Sequence, residues 1–271
     1  MAIKVWKRAR DVVGLAHADV LMTSFPKCGR TWLRVMIGYA LQQHFHVRSK
    51  RLLMLEPLAA LFHPSIPDVF VQHDGHPFRR RPDELDPSKA AYSGKRVLLV
   101  VRDPRNVMVS AYFHKKNRKK QPYAGSISDH LRDERGSLAT FIRYYNDWAA
   151  QRDVPHEFLL ARYEDLHAEP QRQLRRVLEL IGVTGVSDAV VEEAVRFGAF
   201  DNMRKMEASD VLGSSRLRPG RAGVEASYKT RKGKVGGYRE HLSEEDVRYI
   251  DDRIADLDPM YGYAGRIARV S

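Results

Sequence analysis

Lys27 stands two residues before Gly29 and four before Thr31 in the stretch 23–35, TSFPKCGRTWLRV, where an apolar run gives way to a helical pattern. A helix N-terminus gathers unpaired N–H groups and a partial positive charge, so a lysine beside it makes an anion site suited to phosphate or sulfate. An ordinary strand-to-helix turn with solvated charges would use the same residue types. A second basic strand end, RDPR at 102–105, lies far along the chain, and a third basic segment, RKGKVG, occupies 231–236.

These residues need a scaffold. Residues 19–22, 69–71, 95–101 and 158–163 are short apolar runs of the kind that form buried strands, and 95–101 is the clearest. Helical spacing of apolar residues marks 31–41, 106–113, 138–149, 174–181, 189–197 and 244–257, the last opening with Ser243 as its cap. Pro104 stops the third strand before the helical spacing that begins at Asn106. Residues 48–67 read as short helices and connections, 76–87 as surface loop, and 209–230 as a mobile loop rich in Gly, Ser and Arg. Strands alternating with helices predict one α/β domain over 1–271, a central parallel sheet flanked by helices in a P-loop NTPase-like arrangement. In that architecture ligands bind at the carboxyl ends of the strands, which here carry the basic loops.

Composition sets the bounds. The 271 residues, 43% hydrophobic, are enough for a real core, and 46 Lys plus Arg against 34 Asp plus Glu leave +12. Such a charge fits nucleic acid, an anionic membrane or an acidic small ligand. No stretch approaches eighteen apolar residues and the opening MAIKVWKRARDVV has no secretory pattern, so the reading is cytoplasmic, with no transmembrane segment. The lone Cys28 excludes an internal disulfide framework, and the eleven histidines form no metal spacing, so no metal is expected.

A Walker A loop needs a lysine after its second glycine, whereas Lys27 precedes Gly29. A nucleotide-dependent kinase is thereby disfavoured. Three segments in order, SFPKCGRTWL at 24–33, VRDPRNVMVS at 101–110 and RKGKVG at 231–236, resemble sulfotransferases that use 3′-phosphoadenosine 5′-phosphosulfate (PAPS). The resemblance implies transfer of a sulfuryl group to a hydroxyl or amine, with adenosine 3′,5′-bisphosphate (PAP) as product. The third alternative, a polyanion or nucleic-acid binding module, draws on the charge alone.

By resemblance, Lys27, Cys28, Gly29, Arg30, Thr31 and Trp32 form the 5′-phosphosulfate loop, with Lys27 catalytic and Trp32 near adenine. Arg102 and Ser110 match the 3′-phosphate ligands, joined by Arg231, Lys232 and Gly233, while Tyr163 and Phe200 match positions near adenine. His73, at a strand end, matches the catalytic base in preference to His76, and Asp74 is given no role. The chain departs from many relatives in Val71, where a second lysine is common, in Gly237-Tyr238, and in Cys28 and Arg30, where small hydroxyl residues are frequent. Cys28 reads either as a small residue that fits a tight turn or, beside Lys27 and a helix N-terminus, as a thiol expected to be unusually acidic, whose alkylation would block donor binding. The basic stretches 78–81, 115–120 and 216–221 either border the acceptor site or are solvated surface; the acceptor would be a saccharide, lipid headgroup or small alcohol, with no nucleic-acid partner.

Overall fold

The computed structural model describes residues 14–56, 59–119, 121–214, 216–221, 223–231 and 233–263. Strand β1 (Val20–Thr23) leads into helix α1 (Arg30–His44), followed by the short α2 (Lys50–Leu53) and strand β2 (Val69–Val71). After three 3-10 turns come β3 (Arg96–Val101), α3 (Pro104–Arg118), α4 (Ile127–Arg132) and α5 (Leu138–Ala150). Strand β4 (Glu157–Arg162) precedes α6 (Tyr163–Ala168), α7 (Pro170–Leu180), α8 (Asp188–Phe197), α9 (Phe200–Ser209) and α10 (Glu244–Ile254).

The four strands form one parallel sheet in the order β2-β1-β3-β4. Every residue of β1, and all of β3 beyond Arg96, is buried, as a parallel strand covered on both faces must be. Chain direction across the sheet reverses between β1 and β3, so the crevice between their carboxyl ends is the expected ligand site of such a sheet.

Local signals explain the helix starts. Asp103 caps α3 by accepting from Arg105 N at 2.8 Å, with Pro104 in the first turn where its missing N–H costs nothing. Ser243 accepts from Asp246 N at the head of α10. The aromatic helix α5 packs Phe141, Tyr144, Tyr145 and Trp148 into the core, which fits their helical spacing. Two of these rings also reach the sheet edge: Tyr144 Oη meets Thr23 Oγ1 at 3.1 Å and Tyr145 Oη accepts from Arg102 N at 3.1 Å.

Several expectations need correction. Tyr163 does not end a strand but opens α6, because β4 stops at Arg162. Helices α4 and α9 lie where the sequence shows no strong period. Residues 76–87 are not plain surface loop: they fold into 3-10 turns, with Pro77 buried. The 115–120 run is not simply a solvated helix end either, since Lys115 donates to Asp133 at 3.2 Å and Arg118 pairs with Glu207 at 3.5 Å; Lys120 lies outside the described residues. Within 209–230, Ser209 ends α9, Glu225–Ser227 forms a 3-10 turn, and Leu217 and Ser227 are buried.

Close packing of α1 on α2 rests on Gly38. A Cβ there would stand 2.3 Å from the Leu53 carbonyl oxygen, which belongs to rigid backbone. Gly38→Ala is expected to destabilise the fold by about 2 kcal/mol through overpacking, read as a lower urea midpoint with unchanged m-value.

Candidate functional site

The carboxyl ends of the strands surround a cavity of about 430 Å³ lined by Lys27, Gly29, Thr31 and Trp32, by His73, and by Arg102 and Tyr163. A smaller cleft nearby is lined by Ser110 and Arg231 and shares Lys27 and His114 with the first. Lys27 therefore stands at the junction of two spaces.

Backbone geometry shapes the loop between β1 and α1. Gly29 has φ +89°, and a Cβ on it would lie 2.4 Å from the Tyr163 ring, so glycine is required there twice over. Lys27 takes φ +81°, a left-handed conformation that L side chains rarely adopt. Such strain persists only where the surroundings enforce it. Burial, then the charges of Arg118 and Arg102, lowers the Lys27 pKa to about 8.

Arg102 ties the sequence-distant segments together. Its Nη1 donates to the Lys27 carbonyl at 3.4 Å and its Nη2 to the Lys234 carbonyl at 3.2 Å, while its guanidinium lies over the Tyr163 ring at 4.0 Å. Its Nε is buried with no hydrogen-bond partner. Trp32 is fixed by donating Nε1–H to Gly198 O at 2.8 Å and packs edge-on to Tyr163. Arg231 lies over Phe113 at 4.2 Å, and Gly233, at φ +61°, sits against the Phe200 ring, where a Cβ would come to 2.5 Å. Phe200 does not line the large cavity and is 38% exposed. Lys232 lies outside the described residues.

The register of the sheet places His73. Met22 pairs with Val71, so two residues later Ser24 and His73 run side by side. His73 Nδ1–H donates to the Ser24 carbonyl at 2.7 Å, and its Nε2 accepts from Arg30 Nη2 at 2.8 Å. A carbonyl can only accept and a guanidinium can only donate, so the ring is the neutral Nδ1–H tautomer with its Nε2 lone pair toward the cavity. Burial, then the Arg30 charge, holds its pKa well below the usual range, keeping that lone pair free of a proton at neutral pH. Asp74 anchors the same turn: its carboxylate takes Lys89 Nζ at 2.9 Å and Tyr92 Oη–H at 2.6 Å, and its N–H donates to Thr23 Oγ1.

Three further residues escaped the sequence reading. His114 lines both spaces, and its Nδ1 is buried without a partner; burial, then the Lys27 charge, lowers its pKa to about 2. Lys229 lines the cavity, and burial followed by Lys27 lowers its pKa to about 7. Glu207 is fully buried and accepts from Lys229 N, Thr230 N and Thr230 Oγ1 at 2.7–2.9 Å, holding the segment that carries Arg231. His76 also lines the cavity but is exposed. Among the described residues no group of three or more His, Cys, Asp or Glu could hold a metal ion, and no helix is long and apolar enough to cross a membrane.

The expectation of an acidic Cys28 is overturned. Its side chain turns away from Lys27 into the core, fully buried, 3.4 Å from Tyr145 Oη, and burial pushes the thiol up to about 12. Cys28 can offer the cavity only its backbone. It is the chain's single cysteine, so Ellman's reagent at pH 8 should find no reactive thiol in the native protein and one after unfolding in guanidinium; rapid native reaction would contradict the burial.

Residues 17–262 match the family described as "Sulfotransferase domain". "Cytosolic sulfotransferase 17" of Arabidopsis thaliana is 28% identical, covering 88% of this chain and 76% of its own length. "Flavonol 4′-sulfotransferase" of Flaveria chlorifolia is 23% identical over 87% and 78%. Among solved structures, mouse sulfotransferase SULT7A1 complexed with PAP superposes with TM-score 0.59 at 15% identity, covering 88% of this chain and 84% of that one. Retinol dehydratase in a complex with retinol and PAP gives 0.59 at 16% identity, covering 89% and 82%. With nearly the whole chain matched and the same fold in its structural neighbours, this protein belongs to the sulfotransferase family.

Proposed function

We propose that the chain transfers a sulfuryl group from PAPS to a small-molecule acceptor, with His73 as the base and Lys27 as the principal charge stabiliser. The observation that carries the proposal is the position of Lys27 between two basic spaces, one lined by Thr31 and Trp32 and the other by Ser110 and Arg231. A donor with phosphate groups at both ends of its ribose needs that pair of sites; ATP needs only one. The printed names of the structural neighbours, complexes with PAP, support the same donor.

The residues present fit such a ligand. Arg30 Nη1, Arg102 Nε and Arg118 Nε are buried donors without partners. Lys27 and the N-terminus of α1 would hold the phosphosulfate end, with the Thr31 hydroxyl and the backbone of Cys28, Gly29 and Arg30. Arg102, Ser110, Arg231, Lys232 and Gly233 would hold the 3′-phosphate, arginine suiting this role through its planar fork. Trp32, Tyr163 and Phe200 would flank the base.

When bound, PAPS supplies an activated sulfuryl group on a phosphate leaving group. His73 Nε2 takes the proton of the attacking acceptor hydroxyl, Nδ1–H staying on Ser24 O to hold the ring in its tautomer. Arg30 occupies that lone pair in the free protein, so its bond to Nε2 gives way as the hydroxyl arrives. Lys27 stabilises the negative charge that grows on the leaving oxygen. No metal has a part in these steps.

The continuous family match supports reading 1–271 as one sulfotransferase domain, and the relatives named cytosolic support a cytoplasmic enzyme. A saccharide, lipid headgroup or small alcohol remains our proposal for the acceptor.

Transfer of radiolabelled sulfate from PAPS to a panel of phenols, sugars and alcohols tests the reading. Lys27→Ala and His73→Ala should each lower turnover by roughly 10² or more, the first through lost charge stabilisation and the second through lost base catalysis. Normal turnover of His73→Ala with a dead His76→Ala would move the base to His76. Arg102→Ala should chiefly weaken PAP binding.

A further inference from the structure

The cavity carries more positive charge than the donor sites account for. Arg79, from the 3-10 turn after His76, and Lys119, just beyond α3, both line it. Neither belongs to the cleft of Ser110 and Arg231, so they lie outside the region assigned to the 3′-phosphate. Both side chains are exposed, and burial followed by the Arg79 charge lowers the Lys119 pKa. Deeper in, Arg30 and Arg34 line the same space. Arg34 is 2% exposed, bonded to the Met54 and Leu55 carbonyls, with its Nε unpartnered; Arg30 Nη1 is likewise buried and unpartnered.

No carboxylate lines the cavity, and among the described residues none lies within ion-pair distance of Arg30, Arg34, Arg79 or Lys119. Among the described residues, Arg216 is the one cavity-lining cation that is paired, with Glu56 at 3.0 Å. Like charges lining one cavity without counterions favour occupation by an anion, most strongly where, as at Arg34, the group is held out of water. Phe78, Met203 and Leu217 line the same cavity with apolar side chains.

Building on the sulfotransferase reading above, we propose that the acceptor is itself an acid. It is a hydroxyl compound that also carries a carboxylate or sulfate group, held by Arg79 and Lys119, with its apolar body against Phe78, Met203 and Leu217. The reacting oxygen remains the hydroxyl: its proton goes to His73 Nε2 as the new S–O bond forms and the bond to the phosphate breaks. The acid group makes and breaks no bond. It selects the substrate by pairing charges that a neutral flavonol or sugar would leave unpaired.

Acceptor pairs sharing a scaffold and differing in charge test this: 4-hydroxyphenylacetate against its methyl ester, methyl glucuronoside against methyl glucoside, and a monosulfated against an unsulfated sugar. With PAPS as donor, kcat/KM for the acid should exceed that for its neutral partner by at least tenfold in one pair or more. The preference should shrink as salt rises from 50 to 500 mM. Arg79→Gln and Lys119→Gln should each collapse the acid-to-neutral ratio while the Kd for PAP stays unchanged. Where a pair shows no transfer, calorimetric binding to the PAP-loaded protein reads the same preference. Equal use or equal binding of both forms in every pair, binding of neither form, or a ratio untouched by both substitutions would overturn the inference while leaving the sulfotransferase reading intact. Failure to bind PAP at all would instead overturn the donor reading on which it rests.

Discussion

Buried, uncompensated positive charge at the crevice between β1 and β3 is the constraint on which the rest of the structure depends. Lys27 is bracketed by Arg102 and Arg118, with Lys229 near enough to be depressed by it, and one buried carboxylate, Glu207, stands against them. Gathering cations out of water is costly, and the cost falls when an anion enters. The lowered pKa values of Lys27 and Lys229 express the same imbalance from the protein's side.

The scaffold exists to hold that imbalance in place. A parallel sheet buried on both faces supplies rigid strand ends, and α5 props them from beneath, Tyr144 on Thr23 and Tyr145 on both Cys28 and the Arg102 backbone. Glu207 performs the matching task for the C-terminal segment, fastening residues 229–230 beside α9, next to the Arg231 that lines the smaller cleft. A fold secured this way can keep Lys27 at positive φ, a conformation it would abandon in a looser loop.

What could be read from the sequence was what is local. Strands announced themselves as apolar runs, Pro104 marked a strand end and Ser243 a helix start, and three basic segments in order resembled those of sulfotransferases, which implied a two-phosphate donor. What could not be read was orientation and distant pairing. Cys28 was expected to be acidic because its neighbours in sequence are cationic, but its side chain faces Tyr145, 117 residues away, and spacing carries no information about that. Arg30 and His73 meet across 43 residues only because Met22 is in register with Val71. The stretches that hold Arg79, Lys119 and Arg216 left an acceptor border and solvated surface both open, and it is the fold that brings the three to one cavity.

The most direct measurement of the central claim is calorimetric titration with PAP at pH 8 in buffers of differing ionisation enthalpy. In the free protein the Lys27 pKa is about 8 and that of Lys229 about 7, so at pH 8 both are substantially deprotonated. An anion beside them raises both values and the protein takes up protons from buffer. The account predicts net proton uptake, together with weaker binding as pH rises above about 8. Tight binding with no proton uptake, unchanged from pH 7 to 9.5, would contradict it.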